Sequence, residues 1–183
     1  LLSRGLGDVY KRQDEGYGRM SSPEAILESL SNEVEKNELD GIRILVSAGP
    51  TREPIDPVRF ISNYSSGKMG YALAESARNL GADVELISGP VGIKMPENIK
   101  VTSVETSAEM LDAVLGKIPY CDVFISAAAI SDYRPSHKLT EKHKSSDGEL
   151  VIRLERGEDI LKLAKETKNG LYAVGFSAET NNT

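Results

Sequence analysis

Residues 42–70, IRILVSAGPTREPIDPVRFISNYSSGKMG, constrain this chain more than any other stretch. Ile42, Ile44, Leu45 and Val46 form an apolar run that predicts a buried strand. Gly49 and Pro50 end it, since neither suits a strand interior. A polar loop follows, carrying Arg52, Glu53, Pro54, Asp56, Pro57, Arg59 and Asn63. The chain then enters Ser65-Ser66-Gly67-Lys68-Met69-Gly70, the expected start of a helix. A helix N-terminus offers free backbone N–H groups and the positive end of a dipole, so it suits an anion. Glycines there are expected to let that anion approach the backbone closely. The unit reads as a site for a phosphate or carboxylate, with Ser66 and Gly67 at the helix start as contacts.

The remainder alternates strand and helix, the pattern of a parallel doubly wound sheet. Met69, Ala72, Leu73, Ala77 and Leu80 predict one face of a helix closed by Gly81. Strands are expected over 84–88, 100–104, 123–129 and 172–176. Thr106 with Glu109 makes a capping-box pattern before a helix whose Leu111, Val114, Leu115 and Ile118 share a face. Residues 150–154 alternate as a half-exposed strand, and Ile160, Leu163 and Ala164 mark a last helix. The expected fold is a three-layer, Rossmann-like α/β sheet, with a flap-like loop or hairpin around 133–154.

The ends follow other rules. Residues 1–13 lack periodicity or a start signal and are expected to be non-native or disordered. Over 14–36 a turn leads into an amphipathic helix, with Ser22 as N-cap, Pro23 at the first position and Ile26, Leu30 and Val34 at helical spacing. Residues 37–41 read as a linker, and the main domain spans 41–183. The chain stops soon after an apolar strand, and a bare sheet face or edge is the expected consequence.

Composition narrows the function classes. With 183 residues and 39% hydrophobic content the chain can build one domain with a real core. A formal charge of −6 argues against a general nucleic-acid binder. No apolar run reaches membrane-spanning length, and no secretory signal is legible. Cys121 is the single cysteine, which fits a reducing cytoplasm, and its place at the start of an apolar strand reads as core rather than nucleophile. His137 and His143 lack metal-ligand spacing, so zinc is not expected.

In an open parallel sheet, ligands sit beyond the carboxyl ends of the strands. Three segments fall there: the 49–70 unit, the run from Ala127 to Arg134, and the run from Gly175 to Thr180. Small residues at a strand end serve either a ligand lying on the backbone or tight strand–helix packing. The acid and arginine that follow Ala127-Ala128-Ala129 favour the ligand.

AGPTREPIDPVRFISNYSSGKMG resembles the signature of phosphopantothenate–cysteine ligase, a coenzyme A pathway enzyme often found as the C-terminal half of a bifunctional bacterial protein. AAAISDYRP is similar to a second element of that family. Its match implies Ser126, Ala127, Ala128 and Asp132 as nucleotide contacts, with Ala128 also touching the intermediate. Glu141-Lys142-His143-Lys144 resembles the element that carries the active-site lysine, so the resemblance implies that role for Lys142; without it, a lysine in a charged loop is simply solvated. His143 stands where the family has an apolar residue, and Ser145 where it has a lysine. Arg156-Gly157-Glu158-Asp159-Ile160-Leu161 resembles a nucleotide-holding helix start, implying Glu158, Asp159, Ile160 and Leu161, though Gly-Glu replaces an asparagine–proline pair. Phe176 matches an aromatic near the base, and equally suits a core. Arg59 and Asn63 match the family's substrate-binding positions. Asn63 offers donor and acceptor for a carboxylate and then an acyl phosphate. Arg59 is open between pairing a phosphate and bracing the loop through Asp56 or Glu53.

The resemblance implies a ligase that joins 4′-phosphopantothenate to L-cysteine. It would use CTP and Mg²⁺ and pass through an acyl-cytidylate. The metal would be held mainly by the nucleotide, with Asp132 as a possible ligand. The full-length protein is expected to be a homodimer. DEGYGRMSSPEAI resembles the tail of the flavin-dependent decarboxylase domain that precedes this ligase. Arg12 and Gln13 replace that motif's cysteine and glycine, and the catalytic histidine is absent, so FMN and decarboxylation belong to the part not present. Two other readings stand beside the ligase. One is an inactive, C-terminally incomplete piece of it, since further family lysines follow ETNN. The other is a nucleotide-binding oxidoreductase, which would need a GxGxxG turn that this chain lacks.

Overall fold

The structure, a computed structural model, describes Ser22, residues 37–144, Ser146 and residues 148–177. The expected helix over 23–36 and the segment beyond Ser177 lie outside the described residues. Residues from Asn37 onward form one compact unit. Its sheet is built from β1 (Arg43–Ala48), β4 (Asp83–Ser88), β5 (Lys100–Ser103), β6 (Val123–Ser126) and β9 (Tyr172–Gly175). They run parallel in the order β5-β4-β1-β6-β9. The order reverses at β1, so the crevice between the carboxyl ends of β1 and β6 is the topological switch point.

Alternation along β1 divides the core between two layers. Ile44, Val46 and Ala48 pack with α1 (Lys68–Asn79), while Leu45 faces α2 (Ser107–Lys117) and α3 (Ile160–Thr167). That period of two, buried on both faces, is why β1 reads as a continuous apolar run. Phe124, Met110, Val114 and Ile118 complete the second layer without solvent exposure. Cys121 belongs to it, and burial, more than its charged neighbours, raises its thiol above the ordinary range, so the core reading holds. No helix among the described residues is long and apolar enough to cross a membrane.

Several local expectations are corrected. α1 buries Gly70, Tyr71, Ala74 and Ala77, whereas Met69 and Leu80 are 47% and 38% exposed. The buried face is the one with small residues, because the helix lies close against β1: a Cβ on Gly70 would come 2.6 Å from the Cβ of Ala48. α2 turns Met110 inward beside Val114 and Ile118, with Leu111 only partly buried. Its capping box forms, Thr106 accepting from the Glu109 N–H at 3.2 Å, but the Glu109 carboxylate reaches the N–H of Glu105 at 2.8 Å. Residues 37–41 are a turn, not a free linker: the Leu39 N–H donates to the Leu80 carbonyl at 2.9 Å and its side chain packs on the core.

Two small ribbons stand at the carboxyl edge. The polar loop contains an antiparallel hairpin, β2 (Arg52–Pro54) with β3 (Phe60–Ser62), which its prolines and mixed polarity conceal. The flap is likewise a hairpin, β7 (Tyr133–Pro135) with β8 (Leu154–Arg156). Its second strand begins where the 150–154 alternation ends, because Arg134 pairs with Glu155 and so sets the register.

Candidate functional site at the carboxyl edge

The chain closes the mouth of the switch point with its own backbone. Past the ends of β1 and β6 the Ala127 N–H donates to the Ser47 carbonyl at 3.1 Å and the Ala129 N–H to Gly49 at 2.8 Å. The Thr51 N–H donates back to Ala129 at 3.3 Å. Onto this zipped pair the Asn63 amide donates twice, to the carbonyls of Ala129 at 3.2 Å and Ile130 at 3.1 Å. The two segments that sequence analysis singled out separately therefore meet at one side chain. Asn63 is exposed, and its amide oxygen is left to accept from a ligand.

α1 begins beside this junction. Gly67 is its N-cap in the left-handed region (φ 75°), and no side chain caps the helix. The Ser66 hydroxyl lies 3.5 Å from the Lys68 N–H, a long contact that leaves the first turn open to an anion. Packing by itself also requires glycine at this position. A Cβ at Gly67 would lie 2.7 Å from a Val91 methyl and 3.3 Å from the Gly49 Cα, so packing against the strand ends demands glycine here.

Three buried polar side chains hold the β2–β3 hairpin to this edge. Thr51 accepts from the Ser131 N–H at 3.0 Å. Glu53, 3% exposed, accepts from the Ser107 N–H at 2.8 Å and so sits on the first turn of α2. Asp56, 2% exposed, accepts from the N–H groups of Val58 and Arg59 at 2.8 Å each and from the Arg59 guanidinium, through Nε at 2.9 Å and through Nη2. The guanidinium, helped by those two N–H groups against the cost of burial, holds the Asp56 carboxyl well below the usual carboxylate range. Arg59 thus braces the loop through Asp56, one of the two roles that its sequence position left open. From the sequence, Asp56 and Glu53 were legible only as possible partners of Arg59, and Thr51 had no role. The available signal was acids and a threonine packed between prolines directly after a buried strand.

The flap loop carries Lys142, which is exposed and has no ion-pair partner among the described residues. Its neighbour His143 is tethered by main-chain atoms: the carbonyl accepts from Arg59 Nη2 at 2.7 Å and the N–H faces Asp56 at 3.4 Å.

The nucleotide-binding candidates gather on the β6–β9 side. Ser126 pairs with Gly175, which sets Phe176, 52% exposed, beside Ala127. Phe176 is therefore not core. The Ala128 N–H lies 3.4 Å from the Ser47 hydroxyl. The Gly157 N–H donates to the Asp132 carbonyl at 2.8 Å, extending the β7–β8 ribbon past Tyr133 and Arg156. Asp159 is the N-cap of α3, accepting from Lys162 N–H at 2.9 Å, and Ile160 is buried in the core. Of these two, Asp159 is exposed and Ile160 is not. Glu158 and Asp132 are exposed, and Leu161 packs against Gly175, where a Cβ would come 2.6 Å from it. A surface cavity of about 560 Å³ on α3 shares only Asp159 and Leu161 with this group. A single exposed carboxylate at Asp132, without an ion-pair partner among the described residues, fits Mg²⁺ when phosphate oxygens complete its coordination.

Comparison with known proteins accords with this arrangement. The family described as the DNA/pantothenate metabolism flavoprotein C-terminal domain matches residues 39–183. The coenzyme A biosynthesis bifunctional protein CoaBC of Vibrio vulnificus (strain YJ016) is 44% identical over 171 residues, which is 92% of this chain and 43% of that protein. Its counterpart in Escherichia coli (strain K12) is 42% identical over 185 residues, 98% of this chain and 44% of that one. The chain thus spans less than half the length of these curated relatives. A crystal structure of the C-terminal domain of a CoaBC protein superposes with a TM-score of 0.70 at 49% identity, covering 80% of this chain and 69% of that one. With its sheet order, its clasped switch point and a match over most of its length, this chain belongs to the DNA/pantothenate metabolism flavoprotein C-terminal domain family.

Proposed function

We propose that this chain is the phosphopantothenate–cysteine ligase unit of coenzyme A biosynthesis. The observation that carries the reading is the Asn63 clasp, which joins the 49–70 unit to the Ala127–Arg134 segment at the switch point. A carboxylate is a poor electrophile and must first gain a leaving group. In the proposed reaction a carboxylate oxygen of 4′-phosphopantothenate bonds to the α-phosphorus of CTP, and the bond to pyrophosphate breaks. The cysteine amine then attacks the activated carbonyl, CMP leaves and the amine loses a proton.

The chain's own residues supply position and charge, not a covalent nucleophile. The open first turn of α1, with Ser66, receives one anionic group of the substrate. The Asn63 NH₂ keeps the loop closed on β6, and its amide oxygen is left to accept from an N–H or O–H of the substrates, such as the cysteine amine. Lys142 brings a mobile point charge to the triphosphate, and Phe176 offers an exposed face to the base. Mg²⁺, when bound, neutralises phosphate charge, and Asp132 is the carboxylate suited to it. The remaining expectations belong to the same reading: CTP as the nucleotide, a cytoplasmic location, a homodimer at full length, and no decarboxylation by this chain.

Pyrophosphate release with Mg²⁺, 4′-phosphopantothenate and either CTP or ATP, leaving cysteine out, tests it. Release that requires phosphopantothenate and falls in Asn63→Asp and Lys142→Gln supports the reading. An aspartate at 63 would turn a donor of two hydrogen bonds into an acceptor facing two carbonyls. Release indifferent to both substitutions would sink the site assignment.

A further inference from the structure

The Asp56–Arg59 pair reaches beyond its own turn. Three hydrogen bonds cross from residues 55–59 to residues 139–143 of the flap loop. The Leu139 N–H donates to the Ile55 carbonyl at 2.9 Å, Arg59 Nη2 to the His143 carbonyl at 2.7 Å, and the His143 N–H lies 3.4 Å from Asp56 Oδ2. Two of the three use the Asp56–Arg59 pair. On the flap side only backbone is engaged, so the anchor is indifferent to the side chain at 143. On the body side, Asp56 is buried and fixed by two N–H groups of its own turn, which makes it a rigid base.

We propose that Asp56 and Arg59 are positioning residues that anchor the flap loop at His143 and thereby set where Lys142 stands over the site. The second half rests on the role given to Lys142 under the proposed function, and the first half does not. Held at His143, the adjacent lysine keeps a free side chain on a fixed stem, so its charge is delivered without ordering the whole loop at each turnover. The price of losing the anchor is therefore a wandering lysine, not a missing one.

Amide hydrogen exchange resolved by NMR, in Asp56→Asn and separately in Arg59→Lys, tests the anchor without any substrate. Exchange at Leu139 and His143 is expected to accelerate about tenfold or more, with the amides of β1 and β6 unchanged. Arg59→Lys leaves the buried carboxylate in place and keeps the test available if the Asp56 variant folds poorly. Pyrophosphate release tests the second half: Asp56→Asn is expected to lower kcat, and the double variant with Lys142→Gln to be no slower than Lys142→Gln alone. Unchanged exchange at 139–143 in a folded variant would overturn the anchor. Accelerated exchange with fully additive losses would overturn its link to Lys142. A Lys142→Gln variant with undiminished activity would instead remove the reading of the lysine itself, leaving the exchange result to judge the anchor.

Discussion

The sheet body and the carboxyl rim of this molecule are held together by different physics. In the body, Phe124, Leu45, Leu86, Met110 and Ile118 are at most 1% exposed, and the two layers they form need only be apolar and of suitable volume. At the rim, fully or nearly buried side chains are Thr51, Glu53 and Asp56, each spent on a named N–H or guanidinium. Hydrophobic burial is non-directional, whereas a buried acceptor works only at one distance and angle. The body therefore tolerates repacking, while the rim holds the site loops in one geometry. That division suits a site whose groups must meet from three separate loops.

The comparison can be tested by substitution, starting with the largest effect on stability. Phe124→Ala removes a fully buried ring that β6 packs against the second helical layer, and is expected to cost about 3–5 kcal/mol in urea unfolding. A loss below about 1 kcal/mol would mean that the body does not rest on that layer. At the rim, Glu53→Ala strips the Ser107 N–H of its partner and is expected to cost about 1–3 kcal/mol. The same unfolding curve gives the value, and an unchanged midpoint would show that water replaces the carboxylate freely. Gly67→Ala should cost about 1–3 kcal/mol, through positive φ and the approach to Val91, and should appear as a lowered Tm.

Acid provides a gentler probe of both regions. Asp122, in the body, is bonded by the Arg43 guanidinium and N–H, and these hold its carboxyl well below the usual range, as Arg59 does for Asp56. Both folded-state values lie below the unfolded value of about 3.9, so below it the unfolded chain binds more protons. Their stabilisation is complete above about pH 4 and is lost as pH falls through the depressed folded-state values. Asp122→Asn should flatten the acid limb of stability against pH, and an unaltered limb would place the titration elsewhere. The smallest change belongs to Lys142→Gln, expected to leave stability within about 0.5 kcal/mol while lowering pyrophosphate release. A large stability loss there would show that the lysine is part of the scaffold.

Some of this was legible before any coordinates. The apolar run of β1, the capping box at Thr106 and the small residues at the end of β6 each carry a local signal, set by periodicity or by one side chain meeting its own backbone. The α1 face was not, because Met69, Leu73 and Leu80 outrank Gly70 and Ala74 in hydrophobicity, yet close approach to Ala48 selects the smaller residues. The β2–β3 hairpin was hidden for a related reason: its apolar content is low because it is docked by hydrogen bonds rather than by oil.

The order of strands and helices, the clustering of site residues at strand ends and the family resemblance were determined by the sequence itself, since each rests on patterns within short windows. Tertiary structure alone decided that Asn63 clasps Ala129 and Ile130, and that Asp56 and Arg59 reach the flap at His143, beside Lys142. The clasp and the flap contacts join residues 66 to 87 positions apart. No local propensity encodes such a pairing; it follows only when the parallel sheet brings the carboxyl ends of its strands to one edge.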